Sequence, residues 1–371
     1  MKKKFLSVFL TLVMVVTSLP KTVLRVQAEL IEYEINGNWR CEYSRTYERT
    51  ITCKINSGTK EATIIDGSTP ECPNEFRIPS TVLIKGTKFT VTAIGKDAFK
   101  RNKKYLKTPD TLKYIEEGAF YGSEIEHLDL SESINLKVIP KEAFMNCNNL
   151  YSVDLPNGLI KIDQDAFKNC PLKEVTFPET VSELGISAFE NCKNLEKIDL
   201  SLAKNLKSIP EKAFSGSSPS IIKFPDSVSN ISPLAFSPFT AETWIKSINI
   251  PAGLSCTDAT EFLKRLYGIT IEVLTISPKI KEIDMSQFKT LDFEKLIIPH
   301  QSELSSVIGS KHMPTIEISE EAGSDEEIKI TEMFRAIAKG PVTIENTLAG
   351  TSKWYCGDMF SSDKILSKKR T

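Results

Sequence analysis

Apolar residues return along this chain with a period of about two dozen positions. In the most regular stretch they fall at Ala143-Phe144, Cys147, Leu150, Val153, Leu155-Pro156, Leu159 and Ile162. The series begins again at Ala166-Phe167, Cys170, Leu172, Val175, Phe177-Pro178, Val181 and Leu184, then at Ala188-Phe189 and Cys192. The phenylalanine of the Ala-Phe pair recurs as Phe99, Phe120, Phe144, Phe167, Phe189, Phe214 and Phe236, at spacings of 21, 24, 23, 22, 25 and 22. A second series recurs more widely, at Leu106, Leu128, Val153, Val175, Ile198, Ile222, Ile248, Leu274, Leu296, Ile316 and Val342. Each of these sits between two residues that point the other way, which predicts a short strand with its middle side chain inward. Units of this length cannot bury a core alone and must stack on their neighbours. The pattern therefore predicts an α/β solenoid of about eleven short parallel strands.

The L-x-x-L-x-L core with a period in the twenties is the signature of leucine-rich repeats. A longer echo lies on top of it. Leu128-Asp-Leu-Ser through Asn135-Leu-Lys-Val-Ile-Pro and Ala143-Phe144 returns 70 residues later as Ile198-Asp-Leu-Ser through Asn205-Leu-Lys-Ser-Ile-Pro and Ala213-Phe214. This suggests duplication of a block of three repeats. The convex side is expected to carry short helical turns in the N-terminal half and longer helices in the C-terminal half. Asp258 to Tyr267 reads as one such helix, closed by Gly268. Another follows the capping box Ser324-Asp-Glu-Glu327, with Ser324 as N-cap, then Ile328, Ile330, Met333, Phe334 and Ile337, and ends at Gly340-Pro341. A thicker convex layer there predicts a sharper bend.

The chain ends read differently. Lys2, Lys3 and Lys4 precede an apolar run from Phe5 to Leu19 and then Val26-Gln27-Ala28. That is the layout of a secretory signal peptide, and the run falls short of the ~20 residues a spanning helix needs. The expected organisation is a signal peptide at 1–28, an N-terminal cap at 29–93, a solenoid at 94–345 that degenerates after about 240, and a C-terminal cap or tail at 346–371. The mature chain is expected to be secreted or displayed on the cell surface, with no transmembrane segment. Net charge is −1. No basic stripe accompanies it, so nucleic acid is not an expected partner.

Eight cysteines fall into groups. Cys41, Cys53 and Cys72 precede the repeats in a stretch where secretion permits disulfides. A hairpin around Tyr47 would set Cys41 opposite Cys53. Cys147, Cys170 and Cys192 hold one repeat position and should stack as buried thiols, since zinc sites draw on paired cysteines a few residues apart. Cys256 and Cys356 carry no assignment.

Chemistry is sparse. The histidines His127, His300 and His312 fall in different repeats, and no nucleophile, zinc or phosphate-loop motif occurs. His127 reads as a solvated residue more readily than as a base, and no catalytic residue, cofactor or metal is expected. Period-two alternation aims the flanks of each strand at the concave surface, where solenoids bind. In the first half these are His127, Asp129, Ser152, Asp154, Glu174, Thr176, Lys197 and Asp199, an acidic set. Later strands contribute Ile221, Val273 and Ile297. A calcium site at Asp129 and Asp154 is the sharper alternative, but the repulsion of two carboxylates in water, about 0.8 kcal/mol at ~5 Å, needs no ion.

The segments Ile78-Pro79-Ser-Thr-Val and Gly86-Thr-Lys-Phe-Thr-Val-Thr-Ala-Ile-Gly-Lys-Asp-Ala-Phe99, with the A-F-x-x-C repeats that follow, resemble the BspA-like leucine-rich-repeat family of secreted and surface proteins. The resemblance covers roughly residues 76–300. It weakens after Phe236, where Ser286-Gln287-Phe288 replaces Ala-Phe. It implies extracellular display and adhesion to a protein on a host cell, a neighbouring cell or the matrix, with no catalytic residues to carry over. Two other functional classes remain: a passive scaffold of the envelope or matrix, and a secreted enzyme, which the absence of any motif disfavours.

Overall fold

A computed structural model describes residues 31–35, 38–42, 50–67, 75–99, 104–237, 243–266 and 269–277, and the strand segments 292–299, 315–319, 328–330, 344–345 and 354–356. The expected leader, 1–28, lies outside the described residues. The backbone is a solenoid whose long sheet is wholly parallel. Its strands run in chain order: Glu75–Arg77, Lys104–Lys107, Ile125–Asp129, Ser152–Asp154, Glu174–Thr176, Lys197–Asp199, Ile221–Lys223, Trp244–Ile250, Thr270–Ile276, Asp292–Pro299, Thr315–Ser319 and Ile344–Glu345. That is twelve strands among the described residues, against the eleven expected. Phe76 centres an additional first strand, in register with Leu106. At the far end Ile344, not Val342, pairs with Ile316.

A second ladder forms where the sequence reading placed none. The two-residue strands Val138–Ile139, Lys161–Ile162 and Glu183–Leu184 pair in parallel, as do Ser208–Ile209 and Asn230–Ile231. Their second residues point into the core: Ile139 and Ile162 are fully buried. Thus the turns from Val138 to Ile231 each have two strand-bearing sides.

The third side corrects the expected helical turns. Around the Ala-Phe pair the chain makes linked tight turns, with Ala143 N–H donating to Pro140, Met145 to Glu142 and Cys147 to Phe144. Glu142 and Asn146 hold φ of 55° and 62°, which a right-handed helix excludes. The pattern repeats at Asp165 and Asn169 and at Ser187 and Asn191, with Gly118 and Gly122 in the preceding repeat. Alternate N–H groups donate across to the next repeat: Glu142 to Gln164, Phe144 to Ala166 and Asn146 to Lys168. Those donors are used between repeats, so none remains for an i→i−4 helix ladder. Asparagine and glycine recur two residues after the phenylalanine because they tolerate the left-handed region best.

Inside, the phenylalanines Phe99 to Phe236 stack in one column with ring centroids 4.8–5.5 Å apart. Stacking of this kind adds about 0.5–1.5 kcal/mol per pair beyond area burial. Beside them runs the thiol column. Cys147, Cys170 and Cys192 are fully buried and reach the Phe carbonyls of the previous repeat, Phe120, Phe144 and Phe167, at 3.0, 3.0 and 3.2 Å. Ser123 and Ser217 are buried at the same step of their repeats.

One α-helix occurs among the described residues, Cys256–Lys264. It begins two residues before the expected Asp258, because the Ser255 hydroxyl caps it by accepting from Asp258 N–H. The second expected helix is overturned at its start. Ile328–Ile330 is a strand, paired with Trp354–Cys356, and its two isoleucines share one face of a strand, whereas two residues apart on a helix they would point to opposite sides. Among the described residues of the C-terminal half, Cys256–Lys264 is the one helix found where a series was expected.

At the N-terminus Ile31–Ile35, Asn38–Glu42, Thr50–Asn56 and Glu61–Asp66 form an antiparallel meander, which joins Thr87–Ile94 in parallel. The hairpin register sets Cys41 opposite Ile51 and Cys53 opposite Trp39. Each pairing is thus displaced by two residues from the expected register. Cys41 and Cys53 are not the directly facing pair expected.

Candidate concave binding face

The eight candidate residues come together on four consecutive strands. Register places His127 beside Ser152, Ser152 beside Glu174, and Glu174 beside Lys197 in one row. The second row runs Asp129, Asp154, Thr176 and Asp199. The middle residues Leu128, Val153, Val175 and Ile198 lie buried beneath. Adjacent strands sit about 4.8 Å apart, so the patch is continuous.

The face is less acidic than its composition suggests. Asp129 is 6% exposed and does not project as a free charge. Its carboxylate accepts from Tyr105 O–H at 3.0 Å, from the Ser131 hydroxyl at 2.6 Å and Ser131 N–H at 2.9 Å, and pairs with Lys107 at 3.0 Å. Burial alone would push this carboxyl up, but the Ser131, Lys107 and Tyr105 bonds outweigh it and hold it down at about 2. Lys107 also meets Glu132 at 2.9 Å, and these partners raise its ammonium, Glu132 first and Asp129 second. Asp199 repeats the turn, accepting from the Ser201 hydroxyl at 2.6 Å and pairing with Lys197 at 3.2 Å. Its carboxyl too is lowered: burial opposes the shift, while Ser201 and Lys197 drive it.

His127 is not a solvated side chain. It stacks on Tyr105 with centroids 4.4 Å apart, and its Nε2 lies 3.1 Å from Asp154 Oδ2. Tyr105 and Lys107 were missing from the candidate set, although they flank Leu106 by the same alternation that selected the others. Ser152, His127 and Asp154 adjoin one another, yet among the described residues no hydrogen bond joins the serine hydroxyl to the imidazole. The nucleophile–base contact of a hydrolase triad is thus not formed. No cluster of three metal-ligating side chains occurs among the described residues. Nor is any described helix long and apolar enough to cross a membrane. Ile221 and Val273 of the later strands are half-buried.

Comparison with known proteins places these features. Residues 81–196 and 187–310 match the profile of the BspA type leucine rich repeat region, in six copies. Among solved structures, a leucine-rich repeat protein from Bacteroides ovatus is 24% identical, over 72% of this chain and 70% of that one, with a TM-score of 0.49. The leucine-rich repeat protein of T. pallidum is 17% identical over 62% and 97%, with a TM-score of 0.33. The pneumococcal vaccine antigen PcpA is 16% identical over 80% and 94%, with a TM-score of 0.32. A search of curated proteins returns no match.

Proposed function

Because the chain belongs to the BspA-type leucine-rich-repeat family, we propose that it is a secreted or surface-displayed recognition protein that binds an extracellular protein through its concave face and catalyses no reaction. One observation carries this reading. The eight side chains form an uninterrupted patch in which Asp129, His127, Asp154, Lys197 and Asp199 are held in place before any partner arrives, by the Lys107–Asp129, His127–Asp154 and Lys197–Asp199 contacts. Contacts fixed in advance lower the ordering cost of association. Asp154, more than half exposed, and the exposed Glu174 supply the accessible negative charge, which favours a basic partner surface and a salt-sensitive on-rate.

The test is a pulldown from cells and matrix with the mature protein, followed by binding kinetics of the D154K/E174K variant. Asp129 is left intact because reversing a buried charge would threaten the fold. The expected outcome is slower association and a flatter salt dependence, with circular dichroism unchanged. Unaltered kinetics with a folded variant would move binding off this face. Recovery of no partner, together with self-association in size-exclusion chromatography, would favour the passive scaffold.

A further inference from the structure

We propose that the cleft between strands Glu174–Thr176 and Lys197–Asp199 is a subsite for one basic side chain, lysine or arginine, of the bound partner. The inference rests on the concave-face reading and sharpens it. The cleft has a volume of about 280 Å³ and is lined by Glu174, Thr176, Lys197, Asp199, Ser201 and Leu202, among others. Small-molecule pockets span about 300–1,000 Å³, so this space suits a single side chain better than a whole ligand.

Its lining holds two carboxylates, Glu174 and Asp199, and one cation, Lys197. Lys197 lies 3.2 Å from Asp199 Oδ2, and Lys223 approaches the same oxygen at 4.0 Å. Glu174 stands beside Lys197 in register, yet its carboxylate has no hydrogen-bond or ion-pair partner among the described residues. Leu202, 55% exposed, adds an apolar wall. It is also anchored, since both Ser201 N–H and Ser201 hydroxyl bond Asp199 Oδ1 immediately before it.

The duplicated block supplies an internal control. Asp129-Leu130-Ser131 builds the same turn as Asp199-Leu200-Ser201, with the same serine bonds to the same carboxylate oxygen. In the first copy the next residue is Glu132, paired with Lys107. In the second it is Leu202. The turn itself does not require an exposed leucine, since its twin folds with a glutamate. A lysine or arginine meets both features at once: its methylene stem covers Leu202 and its cation answers Glu174. An anion would face Glu174 and Asp199, and a neutral chain would leave Glu174 unanswered.

Methyl-detected NMR of the mature protein, titrated with Nα-acetyl-lysinamide, Nα-acetyl-norleucinamide and Nα-acetyl-glutamamide, tests the assignment. Leu202 and Val175 methyls are expected to shift with the lysine probe, and about threefold to fivefold more weakly with norleucine, the scale of one exposed ion pair. Glu174→Gln should erase the preference for lysine over norleucine, and Leu202→Ser should weaken both, with the remaining methyl spectrum unchanged. Equal response to all three probes, or none at Leu202, overturns the subsite. A partner from the pulldown whose binding ignores Glu174→Gln and Leu202→Ser overturns the subsite and leaves the concave-face reading standing. A lysine-selective cleft with no partner recovered supports the subsite and counts against that reading.

Discussion

Asn169 donates its side-chain amide to Oδ1 of Asn146 across 2.6 Å, joining two repeats through residues that both hold positive φ. Asn191 donates to Asn169 at 3.0 Å, and Asn146 to the Tyr121 hydroxyl at 2.9 Å. The amides form one line with one direction. At the next repeat the line stops at Gly216, where a Cβ would stand 2.3 Å from Asn191 Oδ1.

Two substitutions separate the roles of that position. Asn169→Gly keeps the backbone free to hold φ of 62° and loses two amide bonds, so it should cost about 1 kcal/mol at this half-exposed site. Asn169→Ala adds the left-handed penalty of about 1–2 kcal/mol. Urea titrations should rank alanine below glycine, the reverse of the usual order within a helix. Equal stability of the two would mean that the turn relaxes at little cost.

Phe167 stacks between Phe144 at 5.1 Å and Phe189 at 5.3 Å and is fully buried. Phe167→Ala should therefore destabilise by about 3–5 kcal/mol, as truncation of a buried aromatic does. A loss under about 1 kcal/mol in reversible denaturation would be incompatible with a rigid column.

The buried thiols should be inert in the native state. Burial raises Cys170 well above the usual thiol range and pushes Cys192 up to about 12. Since the thiolate is the reactive form, Cys170 and Cys192 should resist alkylation at pH 8, fully buried Cys147 should be out of the reagent's reach, and all three should react only on denaturation. Peptide mapping under non-reducing conditions reads the outcome, and any of the three found natively labelled or in a disulfide contradicts the ladder. Cys170→Ser should fold, because Ser123 and Ser217 already occupy this step.

Acid should loosen the N-terminal half through Asp129. Its carboxyl sits at about 2 in the fold, below its value in the unfolded chain, so its contribution is complete above about pH 4 and disappears as pH falls towards 2. With allowance for water around Lys107 and Glu132, this amounts to about 1–2 kcal/mol. Asp129→Asn should lower stability at pH 7 and flatten the acid limb between pH 4 and 2. Parallel acid limbs in the two proteins would show that Asp129 contributes nothing to it.

The strand centres up to Ile316, the phenylalanine column and the cysteine column were legible because each keeps one kind of side chain (aliphatic, phenylalanine or cysteine) at one step of the repeat, buried for one reason. The tight turns were not, because Ala-Phe flanked by polar residues has helical spacing and only the positive φ at Glu142 and Asn146 excludes a helix. The second ladder escaped notice because its strands are two residues long, too short to show alternation. On the long sheet, alternation picked out residues that lie side by side in two rows, but counted their charges as free. Whether Asp129 projects or turns down to Lys107 and Tyr105 depends on side-chain conformation and on the neighbouring repeat, neither of which a period encodes.

Each repeat grips the next on several sides, and the bonds of the long sheet, the short ladder and the turns all cross from one repeat to its neighbour. Pulled from its ends, such a molecule loads its joints in series, so the weakest gives way while the others hold. A joint that opens frees one period of chain, 21–25 residues, or about 70–90 Å when extended. The array would lengthen in steps under tension and recover turn by turn, behaving as a chain of short links.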